Sequence, residues 1–404
     1  MNAAYKQSDL GLIPSDWTVT TIAALAEKIT VGFVGTMAHL FTPHGIRLLR
    51  GQNVLPNKLD LRETKFISPE THKLWSKSAL RPGDVVLVRV GYPGTACVIP
   101  DDVGPANAAS LVVVRPDPKK LSARYLSLFM NSDLGRRRVQ SYLVGGAQQV
   151  LNTATAGNLT LPLPPRREQE AIAEALSDTD ALIESIEHVI AKKRHIKQGA
   201  LQDLLSARRR LPGFSGDWAL STLGEIAVIE IGRTPPRLNA AYWGAGHKWL
   251  SIADMTAKVV YESKEEITEL AAATMRRVRK GTLLMSFKLT IGRLCFAGLD
   301  LYTNEAICSL SNLKVSAEYL YYILSITDFS LSGSQAAKGY TLNSESLHCL
   351  NVPLPPTRSE QEAIAALLSD LDSEIETLEA RLEKTRRIKL GMAQALLTGR
   401  VRVA

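Results

Sequence analysis

Two acidic–basic triplets are the residues whose types and spacing come closest to catalytic chemistry in this chain. Glu63–Thr64–Lys65 and Glu262–Ser263–Lys264 each place a carboxylate two residues before a lysine, an order that suggests a metal-dependent nuclease. No Pro-Asp pair lies at a useful spacing before either triplet. Because successive side chains of a strand alternate between its faces, alternating charge on an exposed strand explains both triplets better than catalysis does.

Other catalytic signatures are missing from the sequence. It contains no G-x-x-x-x-G-K-[ST] loop, no G-x-G-x-x-G, no G-x-S-x-G elbow and no H-x-x-x-H pair. The Asn/Asp-Pro-Pro-aromatic stretch that amino-methyltransferases use to hold a flipped base is also lacking. Four dispersed cysteines form no C-x-x-C pair, which favours a reduced protein without a zinc site or disulfides. We therefore predict no catalytic residue, no bound metal and no cofactor on this chain.

The composition restricts which class of protein this chain can belong to and which partners it can bind. The chain has 404 residues, enough for two or more domains, and a net charge of +8, which fits a polyanionic partner such as nucleic acid. The first residues lack the apolar stretch of a secretory signal, and no run of 18 apolar residues is long enough to cross a membrane. We expect a cytoplasmic protein that does not bind membranes.

The chain contains an internal repeat. Residues 162–211 begin PLPPRREQEAIA, and residues 353–403 begin PLPPTRSEQEAIA. Upstream, Asp16–Trp17 corresponds to Asp217–Trp218, and glycines and apolar positions agree while the residues between them differ. A repeat of this length indicates two similar modules joined head to tail. A shared frame with divergent surfaces suggests two binding units that read different targets.

The repeated helical segments show a heptad pattern. After each Pro-Pro a helix should begin, because proline disfavours helix before it and glutamates suit the first turn. Each segment then runs about 40 residues without proline, about 60 Å of helix. Spacings of four and three residues define a seam that two matched helices would share. The seam residues are Ile172, Leu176, Ile183, Ile186, Ile190, Ile364, Leu368, Leu371, Ile375, Leu378 and Leu382.

The modules themselves are predicted to be mixed α/β. Short apolar strands, such as Val85–Val90 and Leu283–Phe287, alternate with Gly/Pro turns, and Leu121–Asn131 and Ala317–Thr327 read as equivalent helices. We predict an α+β fold with two mixed α/β domains separated by two long helices that form an antiparallel coiled coil. The predicted boundaries are 1–164 and 211–356 for the domains, and 165–210 and 357–404 for the helices.

These features together resemble one family, the specificity subunits of type I restriction–modification systems. The resemblance rests on two weakly similar modules that each end in LPLPP or VPLPP and lead into an EQEAIA helix. The Asp-Trp pairs, Leu49–Val54 and Leu250–Met255 occupy the places that the family pattern expects. The resemblance covers essentially the whole chain, and its motif occurs twice.

The resemblance implies a function and a set of partners. Each module would be a target recognition domain that reads one half of a bipartite, asymmetric site in double-stranded DNA. The two helices would hold the modules at a fixed distance and bind two DNA adenine methyltransferase subunits, and restriction/translocase subunits would join for cleavage. S-adenosylmethionine, ATP and Mg would be bound by those partners.

The sequence offers candidates for DNA contact. Arg, Lys, Asn and Gln address base edges, and Lys and Arg address phosphates. We therefore select residues of these types, with two tyrosines, beside glycine turns or apolar strands. The candidates are Arg50, Gln52, Asn53, Arg89, Tyr92, Lys248, Lys288, Arg293, Lys338 and Tyr340.

Three alternatives remain open at this stage. The chain could be a specificity subunit of a related system outside type I, whose partner combines methylation and cleavage. It could be an adaptor whose coiled coil holds protein partners without binding DNA. A fused restriction–methylation enzyme would need a methyltransferase motif, which is not visible.

Overall fold

The computed structural model describes residues 4–143, 150–329, 334–336 and 339–403, and for 334–336 and 339–341 it describes the backbone. The chain divides into two compact units. Unit 1 contains Met1–Glu187 and Arg381–Ala404, and unit 2 contains His188–Ala380. Each unit is therefore built from a domain together with parts of both long helices. The sequence-based boundaries at 164, 210 and 356 stay a prediction.

Unit 1 is an α+β domain. Its helices are α1 (Ile22–Leu25), α2 (Pro69–Leu74), α3 (Ala123–Asn131), α4 (Asp133–Leu143) and α5 (Thr153–Asn158). Its strands are β1 (Tyr5–Ser8), β2 (Gly11–Pro14), β3 (Thr18–Thr21), β4 (Ala26–Val31), β5 (Ile46–Leu49), β6 (Val54–Leu55), β7 (Lys58–Leu59), β8 (Lys65–Ile67), β9 (Val85–Val88), β10 (Ala96–Val98), β11 (Ala106–Ala108), β12 (Leu111–Pro116) and β13 (Thr160–Leu163).

The main sheet of unit 1 separates two cores. Its order is β10-β9-β12-β4, and a second sheet has the order β11-β5-β8. All four residues of β9 are buried, as expected for a strand covered on both faces. Val85 and Leu87 join the core that α3 covers, while Val86 and Val88 join the core on the opposite face.

Unit 2 repeats this plan. Its helices are α7 (Leu223–Ile226), α8 (Glu269–Ala272), α9 (Ala317–Ile326) and α10 (Ser344–His348). Its strands are β14 (Ala219–Thr222), β15 (Val228–Ile231), β16 (Trp243–Leu250), β17 (Val259–Val260), β18 (Glu265–Ile267), β19 (Leu283–Ser286), β20 (Leu294–Ala297), β21 (Tyr302–Thr303), β22 (Ile307–Ser311), β23 (Ser334–Ala336), β24 (Gly339–Thr341) and β25 (Asn351–Leu354).

The sheets of unit 2 follow those of unit 1. The main sheet has the order β15-β22-β19-β20-β17, and a smaller one has the order β18-β16-β21. Leu283 and Met285 of β19 face the core that α9 covers, and Leu284 faces the other core. The mixed α/β content predicted from the sequence is confirmed, and so are the equivalent helices α3 and α9.

Two long helices follow the proline-rich segments. They are α6 (Arg166–Leu205), which begins directly after Pro165, and α11 (Arg358–Leu397), which begins two residues after Pro356, and each has 40 residues. Within unit 1, ion pairs join Arg386 to Glu187 and Lys389 to Asp180. Within unit 2, ion pairs join the helices at Lys193–Glu374, Arg194–Glu379 and Lys197–Asp372.

The repeated motif forms a joint between each helix and its domain. The Gln169 side-chain oxygen accepts a hydrogen bond from the backbone N–H of Ser122 (2.8 Å), the N-cap of α3. The equivalent Gln361 accepts from Ser316 (2.9 Å), the N-cap of α9. The proline-rich segments take part too, since the hydroxyls of two buried tyrosines donate to their carbonyls. These bonds run from Tyr125 to Pro162 (2.7 Å) and from Tyr319 to Pro353 (2.8 Å).

Candidate nucleic-acid interface

Three chain segments of unit 1 leave its sheets at the same end. The register pairs Val88 with Leu111 and Val31 with Val112, so β9 and β4 both end beside the start of β12. β5 ends there as well, because Leu49 pairs with Ala108, and Gly51 lies against the side chain of Val88. We call the segments 32–37, 50–53 and 89–94 the loop edge of unit 1.

Unit 2 has the same arrangement. Ile231 pairs with Cys308 and Ser286 with Ile307, so β15 and β19 end beside the start of β22. The backbone N–H of Asn304 donates to Leu250 O (3.0 Å), which brings the end of β16 to the same place. We call the segments 232–239, 251–254 and 287–293 the loop edge of unit 2. A loop cluster on a rigid sheet is a common location for binding residues.

All five candidates of the first module lie on the loop edge of unit 1, in different environments. Tyr92 and Gln52 are exposed, and Tyr92 is 84% accessible. Arg89 is half-buried, and its Nε donates to Leu151 O (3.3 Å). Arg50 is half-buried over the ring of Phe41, and its buried Nε has no hydrogen-bond partner among the described residues.

Asn53 is a structural residue of this edge. It is 1% accessible, its Oδ1 accepts from the Arg50 backbone (3.0 Å) and its Nδ2 donates to Asp60 O (2.9 Å). A buried amide bonded in this way holds a turn and presents no atom to a base. The burial argues against the DNA contact predicted for Asn53. The sequence did not reveal it, because a buried capping asparagine and an exposed base-reading asparagine look alike in one sequence.

The candidates of the second module are less close together. Lys288 and Arg293 lie on the loop edge of unit 2, where Arg293 is exposed and donates to Ile252 O (3.2 Å). Lys248 lies within β16 and forms ion pairs with Glu262 (2.6 Å) and Glu266 (2.7 Å), which raise its pKa to about 12. Because two carboxylates neutralise it, Lys248 is a poor phosphate contact. Lys338 lies outside the described residues, and for Tyr340 only the backbone of β24 is described.

Sequence reasoning missed one segment of each loop edge. Segment 32–37 begins at Gly32, and segment 232–239 begins at Gly232. A Cβ at Gly32 would lie 2.4 Å from Ala108 O, and a Cβ at Gly232 would lie 2.2 Å from Thr303 Oγ1. The matching glycines are the signal that could have located both segments, because they mark the same close backbone approach at the end of the strand.

The loop edge of unit 2 has a basic character. Segments 232–239 and 287–293 contain Arg233, Arg237, Lys288 and Arg293 and no acidic residue. Glu305 accepts a hydrogen bond from the hydroxyl of Thr234 in segment 232–239. Although partial burial opposes its ionisation, the Thr234 hydroxyl, its own backbone amide and the nearby charges of Lys288 and Arg237 lower the pKa of this carboxyl. The ionised Glu305 therefore places a negative charge near both basic segments and partly offsets the positive charges of Lys288 and Arg237.

The predicted seam residues occupy three environments. Ile172 and Leu176 belong to the core of unit 1, and Ile364 and Leu368 to that of unit 2, each at most 1% accessible. These four are buried in their domains and are not available to a partner protein. Ile186, Ile190 and Ile375 are buried outside the cores, and the half-buried members are Ile183, Leu371, Leu378 and Leu382.

Among the residues that the structure describes, no helix is long and apolar enough to cross a membrane.

Comparisons with known proteins agree on one family. The family model described as "Type I restriction modification DNA specificity domain" matches residues 67–193 and 215–385. The "Type I restriction enzyme MjaVIII specificity subunit" of Methanocaldococcus jannaschii is 24% identical over 327 residues, covering 74% of this chain and 76% of that protein. The "Type I restriction enzyme EcoKI specificity subunit" of Escherichia coli (strain K12) is 22% identical over 428 residues, covering 96% and 89%.

A solved structure has the same fold. The type I restriction–modification system S subunit from M. genitalium superposes with a TM-score of 0.59 at 15% identity, covering 98% of this chain and 99% of that one. The likeness therefore spans both units. Because the family model matches more than half of the residues, this chain belongs to the type I restriction–modification DNA specificity family, whose named relatives are specificity subunits and not catalytic ones.

Proposed function

We propose that this chain reads a bipartite, asymmetric site in double-stranded DNA, with one half-site read by each unit. One observation carries the proposal: the two loop edges are built on the same strand ends but display different side chains. Equivalent frames with different surfaces would recognise different sequences. The cations of these edges suit phosphates, and their exposed polar groups suit base edges.

The helices would serve assembly. Within each unit, ion pairs join the two helices, and later residues of α6 pair with earlier residues of α11. This order and the buried isoleucines support an antiparallel coiled coil between α6 and α11. We propose that its outer face binds two DNA adenine methyltransferase subunits, because the two helices are closely similar in sequence and would offer two similar surfaces. Restriction/translocase subunits would join this complex in the cytoplasm, and S-adenosylmethionine, ATP and Mg would be bound by the partner subunits.

The test is methylation and binding by the reconstituted complex. The chain with its cognate methyltransferase should methylate adenines within one bipartite motif, while the chain alone should methylate nothing. The double variant Lys288→Gln/Arg293→Gln should bind DNA more weakly, with a shallower dependence on salt, because two phosphate contacts are lost.

The matched control for this variant is Lys248→Gln, which removes a cation from the same unit but away from the loop edge. Its binding should stay close to that of the unaltered chain. Equal weakening by both variants would mean that net charge, and not the loop edge, determines affinity. Methylation without a bipartite motif would refute the division into two readers.

A further inference from the structure

Segment 232–239 is held in one conformation by two tryptophans. The indole N–H of Trp249 donates to Arg233 O (3.0 Å), and that of Trp243 donates to Pro236 O (3.2 Å). The rings meet edge to face with 5.0 Å between their centroids, and Trp249 is 1% accessible. Two donors bond two carbonyls of this segment, and proline occupies both the second anchor, Pro236, and the position before it, so the segment has little conformational freedom.

Arg237 adds a third anchor. Its guanidinium carbon lies 4.1 Å from the centroid of the Trp243 ring and 4.8 Å from that of the Trp249 ring. It also forms an ion pair with Glu265 (2.5 Å). A guanidinium held by two aromatic rings and a carboxylate is already engaged, so its role is to fix the segment. The residue that follows it is therefore presented in a defined position.

That residue is Leu238, whose side chain is fully exposed, at 102% accessibility. Burial of an aliphatic side chain lowers the free energy because apolar surface leaves water, and on a fixed segment only another molecule can bury this one. It cannot exchange hydrogen bonds with a base, so a partner in DNA must itself be apolar. In the major groove the apolar group is the C5 methyl of thymine.

The other unit supports this reading independently. Segment 32–37 of unit 1 presents Val34, which is 57% accessible. The preceding Phe33 is fixed by stacking on Trp75, with ring centroids 4.0 Å apart and planes 11° apart. The equivalent segments differ in sequence, yet each uses an aromatic anchor to display one aliphatic side chain beside the cations of a loop edge.

We propose that Leu238 contacts the C5 methyl group of a thymine and so determines specificity at one position of the half-site that unit 2 reads. The proposal rests on the proposed function, because it requires the loop edge to face the major groove. Lys288 and Arg293 of the edge would contact phosphates while Leu238 reads the methyl group. Val34 would have the corresponding role in unit 1.

The experiment replaces thymines of the recognition site with deoxyuridine, one at a time, and measures binding by the complete complex with methyltransferase. Deoxyuridine keeps Watson–Crick pairing and lacks the methyl group. One substitution should weaken binding by the unaltered complex about 3–10-fold, the scale of one buried methyl group. Leu238→Ala should bind the thymine duplex more weakly by a similar factor and should not respond to deoxyuridine at that position.

Leu220→Ala is the matched control, since Leu220 is 70% accessible on β14 of the same unit, outside the loop edge. It should respond to deoxyuridine as the unaltered complex does. Three results would overturn the proposal: indifference of the unaltered complex to every deoxyuridine, full sensitivity in Leu238→Ala, or a half-site without thymine on either strand. Failure of the proposed function would differ, because no bipartite motif would then exist. Indifference of the unaltered complex to every deoxyuridine would overturn the proposal even if Leu238→Ala folds poorly.

Discussion

The two helix–domain joints have the same residue types at equivalent positions, but these residues make different contacts. In unit 1, Arg402 bonds Glu168 through two nitrogens (2.5 and 2.7 Å) and also bonds Asp16 (2.8 and 2.9 Å). Trp17 donates its indole N–H to Glu168 (3.0 Å). The carboxylate of Glu168 therefore accepts hydrogen bonds from an arginine and a tryptophan.

In unit 2 the equivalent Arg210 bonds Glu360 with the same geometry (2.5 and 2.7 Å). Its remaining donors go to the carbonyls of Gly216 (2.5 Å) and Ser215 (3.1 Å) instead of a carboxylate. In the part of the chain that the structure describes, the buried indole N–H of Trp218 has no hydrogen-bond partner, and the Arg210 guanidinium lies 6.0 Å from the centroid of its ring. The arginine–glutamate pair is the common element, and the contacts around it differ.

This difference shows which part of the repeat is structurally required. Arg402 and Arg210 each lie five residues beyond the end of a long helix. The chain reverses between the helix and the arginine through Gly399 (φ 69°) in one copy and Ala207 (φ 57°) in the other. A left-handed residue at this place ends a helix and aims the next residues back at it. The geometry is kept even where alanine must adopt the less favourable backbone conformation.

The largest expected effect comes from removing an arginine. Arg210→Ala should lower the free energy of unfolding by about 3–5 kcal/mol, because it leaves the carboxylate of Glu360, which is 0% accessible, buried and unpaired. Arg402→Ala should cost less, because Glu168 keeps the Trp17 donor. Urea unfolding followed by tryptophan fluorescence measures both.

The control for this comparison is Arg208→Ala, which removes an exposed arginine of the same segment. It should change the free energy of unfolding by less than about 0.5 kcal/mol. A larger loss for Arg402→Ala than for Arg210→Ala would show that the Trp17 donor does not offset the bonds lost with Arg402, including those to Asp16.

The second prediction compares the ends of the helical seam with its middle. Ile364→Ala and Ile172→Ala should each cost about 2–5 kcal/mol, because both side chains fill a domain core. Ile183→Ala should cost less, because Ile183 is half-buried. Thermal unfolding of the three variants tests the order. Equal losses would mean that the middle of the seam is packed as tightly as the cores.

The third prediction concerns the glutamines of the repeated motif. Gln169→Leu should cost more than Gln361→Leu, because Gln169 also donates to the carbonyls of Lys120 and Pro164 (3.0 Å each). Each buried group that loses its partner costs about 1–3 kcal/mol. The free energy of unfolding in urea is again the measurement. Replacement by glutamate keeps the shape and the acceptor but removes the donor, so it should be more harmful at 169, where the new oxygen would face two carbonyls, than at 361.

The repeat allowed much of the fold to be predicted from the sequence. The starts of α6 and α11 follow from prolines, acidic first turns and heptad spacing, all local signals. The role of EQEAIA in the joints was not predicted. Its Gln169 contacts residues 47 and 49 positions away, a distance over which a single sequence carries no pairing signal. Ser122 and Tyr125, matched by Ser316 and Tyr319, were the available hint.

The candidate interface was predictable by residue type but not by position. Arg89, Tyr92 and Lys288 were chosen beside turns, and the strand ends bring those turns to one edge in each unit. Lys248 and Asn53 were chosen by the same reasoning, but tertiary partners engage both. Leu238 was overlooked because the candidates were chosen among basic residues, amides and tyrosines, and the sequence does not show that this leucine is exposed.

The smallest expected effect is a dependence on pH that only one joint should show. Hydrogen bonds from Arg402 lower the pKa of Asp16 below its ordinary value of 3.8. A depressed carboxyl pKa stabilises the folded state above 3.8, and this contribution is lost as the pH falls through the folded value. Because Asp16 is about half exposed, its contribution is at most about 1 kcal/mol.

Asp16→Asn should therefore lower the melting temperature slightly at pH 7 and make no difference at a pH well below 3.8. Asp217→Asn is the matched control, because Asp217 is the residue of the second copy that corresponds to Asp16. The donors that Arg402 directs to Asp16 are directed in Arg210 to backbone carbonyls, which do not titrate. It should change the melting temperature less at pH 7. If the two variants gave the same pH profile, the carboxylate of Asp16 would add nothing beyond a carbonyl, and the two joints would be energetically equivalent despite their different contacts.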